Sequence, residues 1–316
     1  MHPARRRTAL IALLGAFALT LSACGGGEDD ASTATSAGGA TTTAPAPGGL
    51  VVGIGEQNSP MFADRRFRAL GLRHARLVAP YDVTSVRSDR DLVDLWLHSA
   101  RSAGVEPFIT FGHSYRDPDK LPSTTEFRRA FRAFRARHPD VRVYAPWNEI
   151  NHASQPTATA PRQAAEYYNV VRAECADCVV LAGDVLDQAG MTRYIEQYRR
   201  HLDGEPAIWG LHNYADTNRF RSTGLRDLLD AVSGEVWLTE TGGIVRFGRN
   251  FPYDEQRAAR AIDQTFKLAL ASERVTRIYL YNWTGAQPDG RFDAGLTGPD
   301  GSTRPGLVRL RAALRR

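Results

Sequence analysis

The stretch Tyr144-Ala145-Pro146-Trp147-Asn148-Glu149 decides how this chain is interpreted. It closes a short apolar run that begins at Val141 and alternates as a β-strand does. An asparagine and a glutamate are therefore expected where a strand stops and a loop begins. A second glutamate ends the similar run Val236-Trp237-Leu238-Thr239-Glu240. We expect the rest of the chain to be a scaffold that brings Glu149 and Glu240 face to face.

The strand before Glu149 is one of eight apolar runs that alternate with stretches of helix length from Leu50 onward. Such alternation over residues 50–316 predicts a single parallel (β/α)8 TIM barrel, which typically has ~250 residues. A doubly wound open sheet is the alternative, but Gly53-Ile54-Gly55 lacks the third glycine of a nucleotide-binding turn. The predicted strands cover residues 50–56, 75–79, 107–111, 141–145, 179–182, 208–214, 236–239 and 277–283.

Several of the predicted helices have start and stop signals at their ends. Ser123 followed by Glu126 is the pattern of a capping box, and Pro161 suits a first helical position. Gly104 and Gly234 occur where helices are expected to stop. The predicted helices lie near residues 61–71, 89–103, 124–138, 161–174, 189–202, 222–232, 254–272 and 305–314.

The charge balance gives no sign of a nucleic-acid surface. The 316 residues have a formal net charge of +5, and 42% of them are hydrophobic, which is enough for a large core. Three positive charges belong to Arg5-Arg6-Arg7 near the N-terminus. No basic run interleaved with aromatic residues occurs, so we expect no nucleic-acid partner.

The first 23 residues have the parts of an export signal. The cluster Arg5-Arg6-Arg7 precedes an apolar stretch at 8–21, which is shorter than the ~20 residues that span a bilayer. Leu21-Ser22-Ala23-Cys24 resembles the bacterial lipobox, in which cleavage precedes the cysteine. We predict a signal peptide at 1–23, lipidation of Cys24 and a flexible tether over 24–49. The protein would then be lipid-anchored to the outer face of a bacterial membrane, or secreted.

Two further cysteines, Cys175 and Cys178, lie three positions apart. In an exported protein they either form a small local disulfide or stay as thiols. A thioredoxin-like redox site is a third interpretation. It is disfavoured because the pair follows a predicted helix and precedes a strand, the reverse of the usual context.

Polar residues cluster at the carboxyl ends of the predicted strands, which form the working face of a barrel. Side chains alternate along a strand, so His212 and Tyr214 are expected to share a direction. None of these residues has a spacing typical of metal ligands, and we predict neither a metal site nor a cofactor. The candidates are Arg76, His113, Asn148, Glu149, Asp184, His212, Tyr214, Glu240 and Trp283.

In this pattern the sequence resembles glycoside hydrolase clan A, the superfamily of retaining (β/α)8 glycosidases. The resemblance is carried by Trp147-Asn148-Glu149 on the fourth strand, His212 and Tyr214 on the sixth, Glu240 on the seventh and Trp283 on the eighth. The continuation of Asn-Glu by Ile150 and Asn151 departs from the Asn-Glu-Pro common in part of the clan. It is closer to family thirty-nine or to the small fungal-type β-1,3-glucanase family.

The resemblance implies a role for each candidate residue. It makes Glu149 the acid/base and Glu240 the nucleophile. It implies that Asn148 bonds the sugar 2-hydroxyl, and that Tyr214 or His212 orients Glu240.

The other candidates would surround this pair. The resemblance implies that Arg76 braces the nucleophile, that His113 belongs to a sugar subsite and that Trp283 is the platform under the −1 sugar. Asp184 is either a subsite residue or a helix cap.

A retaining mechanism needs one protonated carboxyl and one ionised carboxylate, ~5–5.5 Å apart. An arginine such as Arg76 is expected to keep Glu240 ionised. Apolar surroundings from Pro146 and Trp147, together with the charge of Glu240, are expected to keep Glu149 protonated.

We therefore predict a retaining glycoside hydrolase that acts as a monomer on an extracellular or cell-wall polysaccharide. A non-catalytic carbohydrate-binding surface lipoprotein on the same barrel is the alternative. Binding alone does not need two carboxylates, which favours the enzyme. A redox or envelope-assembly protein that uses Cys175 and Cys178 is a third hypothesis.

Overall fold

The computed structural model of the protein describes residues 49–315. The predicted signal peptide, the lipidation site Cys24 and residues 24–48 of the predicted tether lie outside the described residues. Within residues 49–315, no helix is both long and apolar enough to cross a membrane.

Nine parallel strands form one sheet in the order β5-β4-β3-β2-β1-β10-β8-β7-β6. The two end strands, β5 and β6, are consecutive in the chain. Between them, the Leu181 amide donates to Tyr144 of β4 at 2.9 Å, and the Ala182 amide donates to Ile208 of β7 at 2.9 Å. The predicted (β/α)8 TIM barrel is confirmed. The strands are β1 (Val51–Gly55), β2 (His74–Pro80), β3 (Glu106–Gly112), β4 (Val143–Ala145), β5 (Val179–Val180), β6 (Asp184–Leu186), β7 (Ile208–His212), β8 (Glu235–Thr241) and β10 (Val275–Tyr281).

The fifth barrel strand is split, which the sequence did not predict. Gly183 separates its halves with φ at 148°, a conformation that glycine adopts without steric cost. Two further strands, β9 (Arg246–Phe247) and β11 (Phe292–Asp293), pair in antiparallel fashion outside the barrel sheet.

The helices follow the strands as the alternation predicted, with one addition. The chain turns into a five-residue helix directly after β7, where the sequence predicted a longer strand that included Tyr214. The helices are α1 (Arg65–Arg68), α2 (Arg87–Ser102), α3 (Thr124–Arg137), α4 (Pro161–Glu174), α5 (Met191–Arg199), α6 (Tyr214–Asn218), α7 (Thr223–Ala231), α8 (Glu255–Leu270) and α9 (Pro305–Ala313).

The alternating residues of β3 divide the core into two layers. Phe108 points into the barrel, where its ring meets Trp237 of β8 at 6.0 Å and Tyr279 of β10 at 5.3 Å between centroids. Phe111 points outward and packs against phenylalanines of α3. That helix begins with the predicted capping box, in which Ser123 and Glu126 bond each other's backbone.

A buried ion pair fixes β11 against the barrel. Both outer nitrogens of Arg304 donate to the Asp293 carboxylate, at 2.7 and 2.8 Å, and both side chains are buried. Arg304 Nη1 also donates to the Gly295 carbonyl at 3.0 Å. Bidentate geometry of this kind offsets much of the cost of removing the charges from water.

Substituting Arg304→Met leaves the Asp293 carboxylate buried without its partner. We expect the free energy of unfolding to fall by about 3–5 kcal/mol, measured by urea denaturation. Arg309→Met is the matched control, because its pair with Asp263 is 3.7 Å long and half exposed. That change should cost less than about 1 kcal/mol. Equal losses in the two variants would contradict a structural role for the buried pair.

Candidate active site

Glu149 is held in an unusual backbone conformation at the end of β4. Its φ is +46°, which is uncommon for a residue with a side chain. Hydrogen bonds from the neighbouring residues fix the turn: the Asn148 amide donates to Phe111 at 2.7 Å and the Ile150 amide to Asp184 at 2.9 Å. The adjoining strands therefore determine where the Glu149 carboxylate points.

Arg76 of β2 is the central cation of the site, and it is 1% exposed. Its Nη1 donates to Glu240 Oε2 at 2.9 Å. Its Nη2 donates to Asn148 Oδ1 and to Asp184 Oδ2, each at 2.7 Å. Nε donates to Thr110 Oγ1 at 3.1 Å. One guanidinium group thus links the ends of β2, β3, β6 and β8 to the turn after β4.

Asp184 is completely buried beneath this guanidinium group. Burial alone would raise the pKa of its carboxyl, but the charges of Arg76 and His212 lower it. A side chain at Gly210 on β7 would collide with Asp184 Oδ1, since an added Cβ would lie 2.1 Å from that oxygen. Asp184 therefore acts within the barrel and does not line the cavity described below.

Glu240 receives a second hydrogen bond from Tyr214. The phenol hydroxyl donates to Glu240 Oε1 at 2.9 Å, while Arg76 holds Oε2. Burial and the charge of Glu240 raise the pKa of Tyr214 well above its ordinary value, so the hydroxyl keeps its proton. Both oxygens of Glu240 thus have a fixed donor.

His212 is buried between the two glutamates. Its Nδ1 lies 3.1 Å from Glu149 Oε1 and 3.8 Å from Glu240 Oε2. On the other side of the ring, Nε2 lies 3.7 Å from Asp184 Oδ2. Of the two residues predicted as alternatives for orienting Glu240, Tyr214 donates to it, whereas the closer glutamate of His212 is Glu149.

A cavity of about 420 Å³ opens above the two glutamates, within the ~300–1,000 Å³ range of small-molecule sites. Tyr281, at the end of β10, forms part of its wall. The other lining residues are Glu149, His152, Leu186, Asp187, Gln188, Tyr214, Ala215, Arg219, Glu240, Ile244, Phe247, Asn250, Phe251 and Phe292.

Comparison with solved structures finds the same fold in several glycosidases. A family 39 glycoside hydrolase from the gut symbiont Bacteroides cellulosilyticus WH2 aligns with a TM-score of 0.58 and 15% identity. The alignment covers 84% of this chain and 64% of that one, so the chain spans less than two thirds of that enzyme. GH5_18 from Streptomyces cattleya in complex with GlcNAc aligns with a TM-score of 0.61 and 15% identity, over 84% and 80% of the chains. The chain has the fold of the clan A glycoside hydrolases.

Xylanase 10B from Thermotoga petrophila RKU-1, in complex with xylobiose, shares this clan A fold. It aligns with a TM-score of 0.62 at 9% identity, over 85% of this chain and 94% of the xylanase. No protein-family model and no curated protein matches the sequence.

The prediction that Glu149 is protonated in the resting barrel is wrong. Burial would raise its pKa, but the hydrogen bond and charge of His212, with the charges of His152 and Arg76, lower it instead. The pKa of His212 rises to about 9, because the carboxylates of Glu240, Asp184 and Glu149 outweigh burial. The proton of this pair is therefore on His212 when the cavity is empty.

Trp283 does not lie in the position predicted for a sugar platform. It is buried, its ring meets Phe67 edge-on at 5.7 Å, and its indole nitrogen donates to Asp64 at 3.1 Å. The position of Trp283 is fixed by Glu56, which follows β1. The Glu56 carboxylate accepts hydrogen bonds from the backbone amides of Trp283 and Thr284.

Tyr281 occupies the cavity wall instead and is half-buried. It has the same strand parity as Tyr279, whose side chain lies inside the barrel. Residue 283 shares that parity, so strand alternation alone does not distinguish Tyr281 from the tryptophan. His113 is not among the residues that line the cavity. Its Nδ1 lies 3.2 Å from Gln155 Oε1.

Asp187, which the sequence analysis also missed, fixes the start of α6. Its two oxygens accept the amides of Ala215 and Asp216 at 3.0 and 2.7 Å. Burial raises its pKa to about 7 despite these bonds. Because α6 begins at Tyr214, Asp187 helps to position the hydroxyl that donates to Glu240.

Cys175 and Cys178 are joined by a disulfide in the structure, so the first of the alternatives left open for them holds. With Asp177 they are the only His, Cys, Asp or Glu group among residues 49–315 that is close enough to share a metal ion. Cysteines in a disulfide cannot act as thiolate ligands.

The His212 pair predicts how stability depends on pH. The folded-state pKa of about 9 exceeds the ordinary value of 6.5. Protonated His212 therefore stabilises the fold fully below pH 6.5, and this stabilisation is lost as the pH rises through 9. We expect the free energy of unfolding, from urea titrations at several pH values, to fall by up to about 3 kcal/mol across that window.

His212→Asn is the control for this measurement, because it removes the titrating group and keeps a side chain that can hydrogen-bond. The difference in stability between wild type and variant should shrink from pH 6 to pH 10. A difference that stays constant would show that His212 is not charged in the folded protein.

Proposed function

We propose that the protein is a retaining glycoside hydrolase acting on an extracellular or cell-wall saccharide. The observation that carries the proposal is the meeting of Glu149 and Glu240 at the carboxyl end of the barrel, beneath one cavity. Glu149 Oε1 and Glu240 Oε2 lie 3.1 and 3.8 Å from the same His212 nitrogen, so they are at most about 6.9 Å apart, the sum of the two distances. This limit is compatible with the ~5–5.5 Å of retaining enzymes and lies below most of the ~6.5–9.5 Å range of inverting ones.

In the first step, Glu240 attacks the anomeric carbon and forms a glycosyl ester, while the glycosidic bond breaks. The leaving oxygen takes a proton from Glu149, which His212 supplies through its Nδ1. Arg76 and Tyr214 each donate to one oxygen of Glu240, which orients the nucleophile before the attack.

In the second step, water replaces Glu240 at the anomeric carbon. Ester formation has removed the charge of Glu240, so Glu149 takes the proton of the attacking water and acts as base. The proton then returns to the pair of Glu149 and His212. Tyr281 is the aromatic residue of the cavity placed to support the sugar ring, and Asn148 is the amide placed to bond its 2-hydroxyl.

The cellular setting belongs to the same proposal. The basic cluster, apolar stretch and Cys24 of the leader support export and lipid anchoring. The enzyme would then work on glycans outside the cell, at the end of a tether.

Replacing the nucleophile by Glu240→Gln should lower kcat roughly 10³-fold or more on any polysaccharide that the wild type cleaves, because an amide cannot form the ester. Reducing-end assays on a polysaccharide panel provide the measurement. Glu235→Gln is the matched control, since Glu235 starts the same strand at the opposite end of the barrel. Turnover that survives Glu240→Gln would exclude this residue as the nucleophile.

Proton NMR of the first product gives the stereochemistry independently. A retaining enzyme releases the sugar with the anomeric configuration of the substrate. Inverted product would contradict the double displacement, and binding without any product would favour the non-catalytic sugar-binding alternative.

Removing the acid/base by Glu149→Ala should slow cleavage of substrates with poor leaving groups by roughly 10²–10⁴-fold. Aryl glycosides with good leaving groups need no acid, so azide should restore their turnover by attacking the glycosyl ester. Glu196→Ala, on the exposed face of α5, is the control and should not respond to azide. Failure of rescue would argue against the role of Glu149.

A further inference from the structure

Part of the cavity wall is an aromatic surface built outside the barrel. Phe247 and Phe251 are joined by two backbone hydrogen bonds of 2.8 and 3.2 Å, and Phe292 pairs with Phe247 in the register of β9 and β11. The Phe292 ring lies 5.7 Å from Tyr214 and 6.3 Å from Tyr281. The surface therefore continues from the residues that contact or flank the nucleophile.

Arg219 lies on this wall, and none of the carboxylates in residues 49–315 pairs with it. Its guanidinium group lies 5.4 Å from the centroid of the Phe251 ring, and its side chain makes no hydrogen bond or ion pair with any residue in 49–315. Arg257, on the same ring at 5.3 Å, donates instead to the carbonyls of Ile244 and Val245. Arg219 is thus an exposed cation of the wall that lies over the Phe251 ring and is left free to bind a ligand.

Two further arginines increase the positive charge of this edge. Arg291 stacks over Phe247 at 5.5 Å, and Arg249 adjoins Asn250 of the cavity wall. Neither forms an ion pair with the described carboxylates. By contrast, Glu149 and Glu240 already have ion-pair partners in His212 and Arg76.

The position of Arg219 places a bound anion close to the reaction. It follows the last residue of α6, and the first residue, Tyr214, donates to Glu240. At a rise of ~1.5 Å per residue, the two positions are separated by about 7.5 Å along the helix. An anion on Arg219 would therefore belong to the cleaved sugar or to its neighbour.

We propose that this wall binds an acidic sugar unit, and that Arg219 bonds its negatively charged oxygen group. The C–H face of a sugar ring packs on aromatic side chains, while a guanidinium group recognises a carboxylate in bidentate fashion. A uronic acid fits both features, and a sulfate ester offers the same chemistry to the arginine. The inference rests on the proposed function, because the same cavity would hold the sugar that is cleaved.

The test compares acidic polysaccharides with their neutral forms. Glucuronoxylan, polygalacturonate and alginate are each assayed beside the carboxyl-reduced product, and a sulfated galactan beside its desulfated product. We expect wild-type kcat/KM to be at least about tenfold higher on one acidic form than on its neutral partner. The preference should shrink as ionic strength rises, because Arg219 is exposed to solvent.

Arg219→Gln should abolish this preference by raising KM on the acidic form about tenfold, with kcat unchanged. Arg219→Lys, which keeps the charge, should retain part of it. Arg226→Gln is the matched control, as an exposed arginine of the neighbouring helix α7. Equal turnover of acidic and neutral forms by wild type would overturn the proposal, as would an equal effect of Arg219→Gln on both.

Calorimetry on the Glu240→Gln protein separates this inference from the proposed hydrolysis. If no polysaccharide is cleaved, binding of an acidic form but not its neutral partner, lost on adding Arg219→Gln, would still support the acidic-sugar wall. Binding of both forms alike, or of neither, would overturn it.

Discussion

The buried guanidinium group of Arg76 is the interaction on which the site depends. A single unpaired charge inside a barrel would be prohibitively unfavourable, so the surrounding strands must supply acceptors. They do so through Glu240, Asp184, Asn148 and Thr110. Beneath it, the Phe108 ring lies 5.7 Å from the guanidinium carbon and separates the polar layer from the apolar interior. The same bonds that solvate the cation therefore fix the relative positions of the strand ends.

The placement of charges around Arg76 also determines which group holds the proton. Three carboxylates, those of Glu149, Asp184 and Glu240, share this region with Arg76, and His212 becomes the second cation. Burial of a carboxyl beside apolar rings would usually favour its neutral form. Here the imidazole of His212 lies 3.1 Å from Glu149 and takes the proton that Glu149 would otherwise hold. The acid of the proposed mechanism is thus a pair of groups, and substrate binding must move one proton within it.

Much of the architecture follows from local sequence rules. The alternation of apolar runs and amphipathic stretches predicted the barrel. The two glutamates at strand ends predicted where the candidate site lies. Rules of this kind failed where a distant side chain redirects the backbone. Glu56, which follows a neighbouring strand, accepts hydrogen bonds from the amides of Trp283 and Thr284. Tyr281, and not Trp283, therefore lines the cavity. No window of sequence around Trp283 contains the contact with Glu56.

Contacts between distant parts of the chain also explain the other differences between the predicted and the observed site. The protonation of Glu149 was predicted from its chain neighbours Pro146 and Trp147 and from the charge of Glu240. The prediction left out His212, the closest charged partner of Glu149, which comes from another strand. The antiparallel pair of β9 and β11 joins two segments far apart in the sequence, so the aromatic wall had no local signature. Only the resemblance to clan A placed Arg76 beside Glu240 in advance.

Helix α6 makes reactivity and selectivity parts of one mechanical unit. Asp187 anchors its first turn, Tyr214 at that turn contacts the nucleophile, and Arg219 follows its last residue. A helix of five residues is too short to bend internally, so a shift at one end would also move the other end. Evolution toward a different sugar at this wall would therefore tend to disturb the nucleophile as well. Related barrels would more easily change specificity through the loops after other strands, leaving this helix intact.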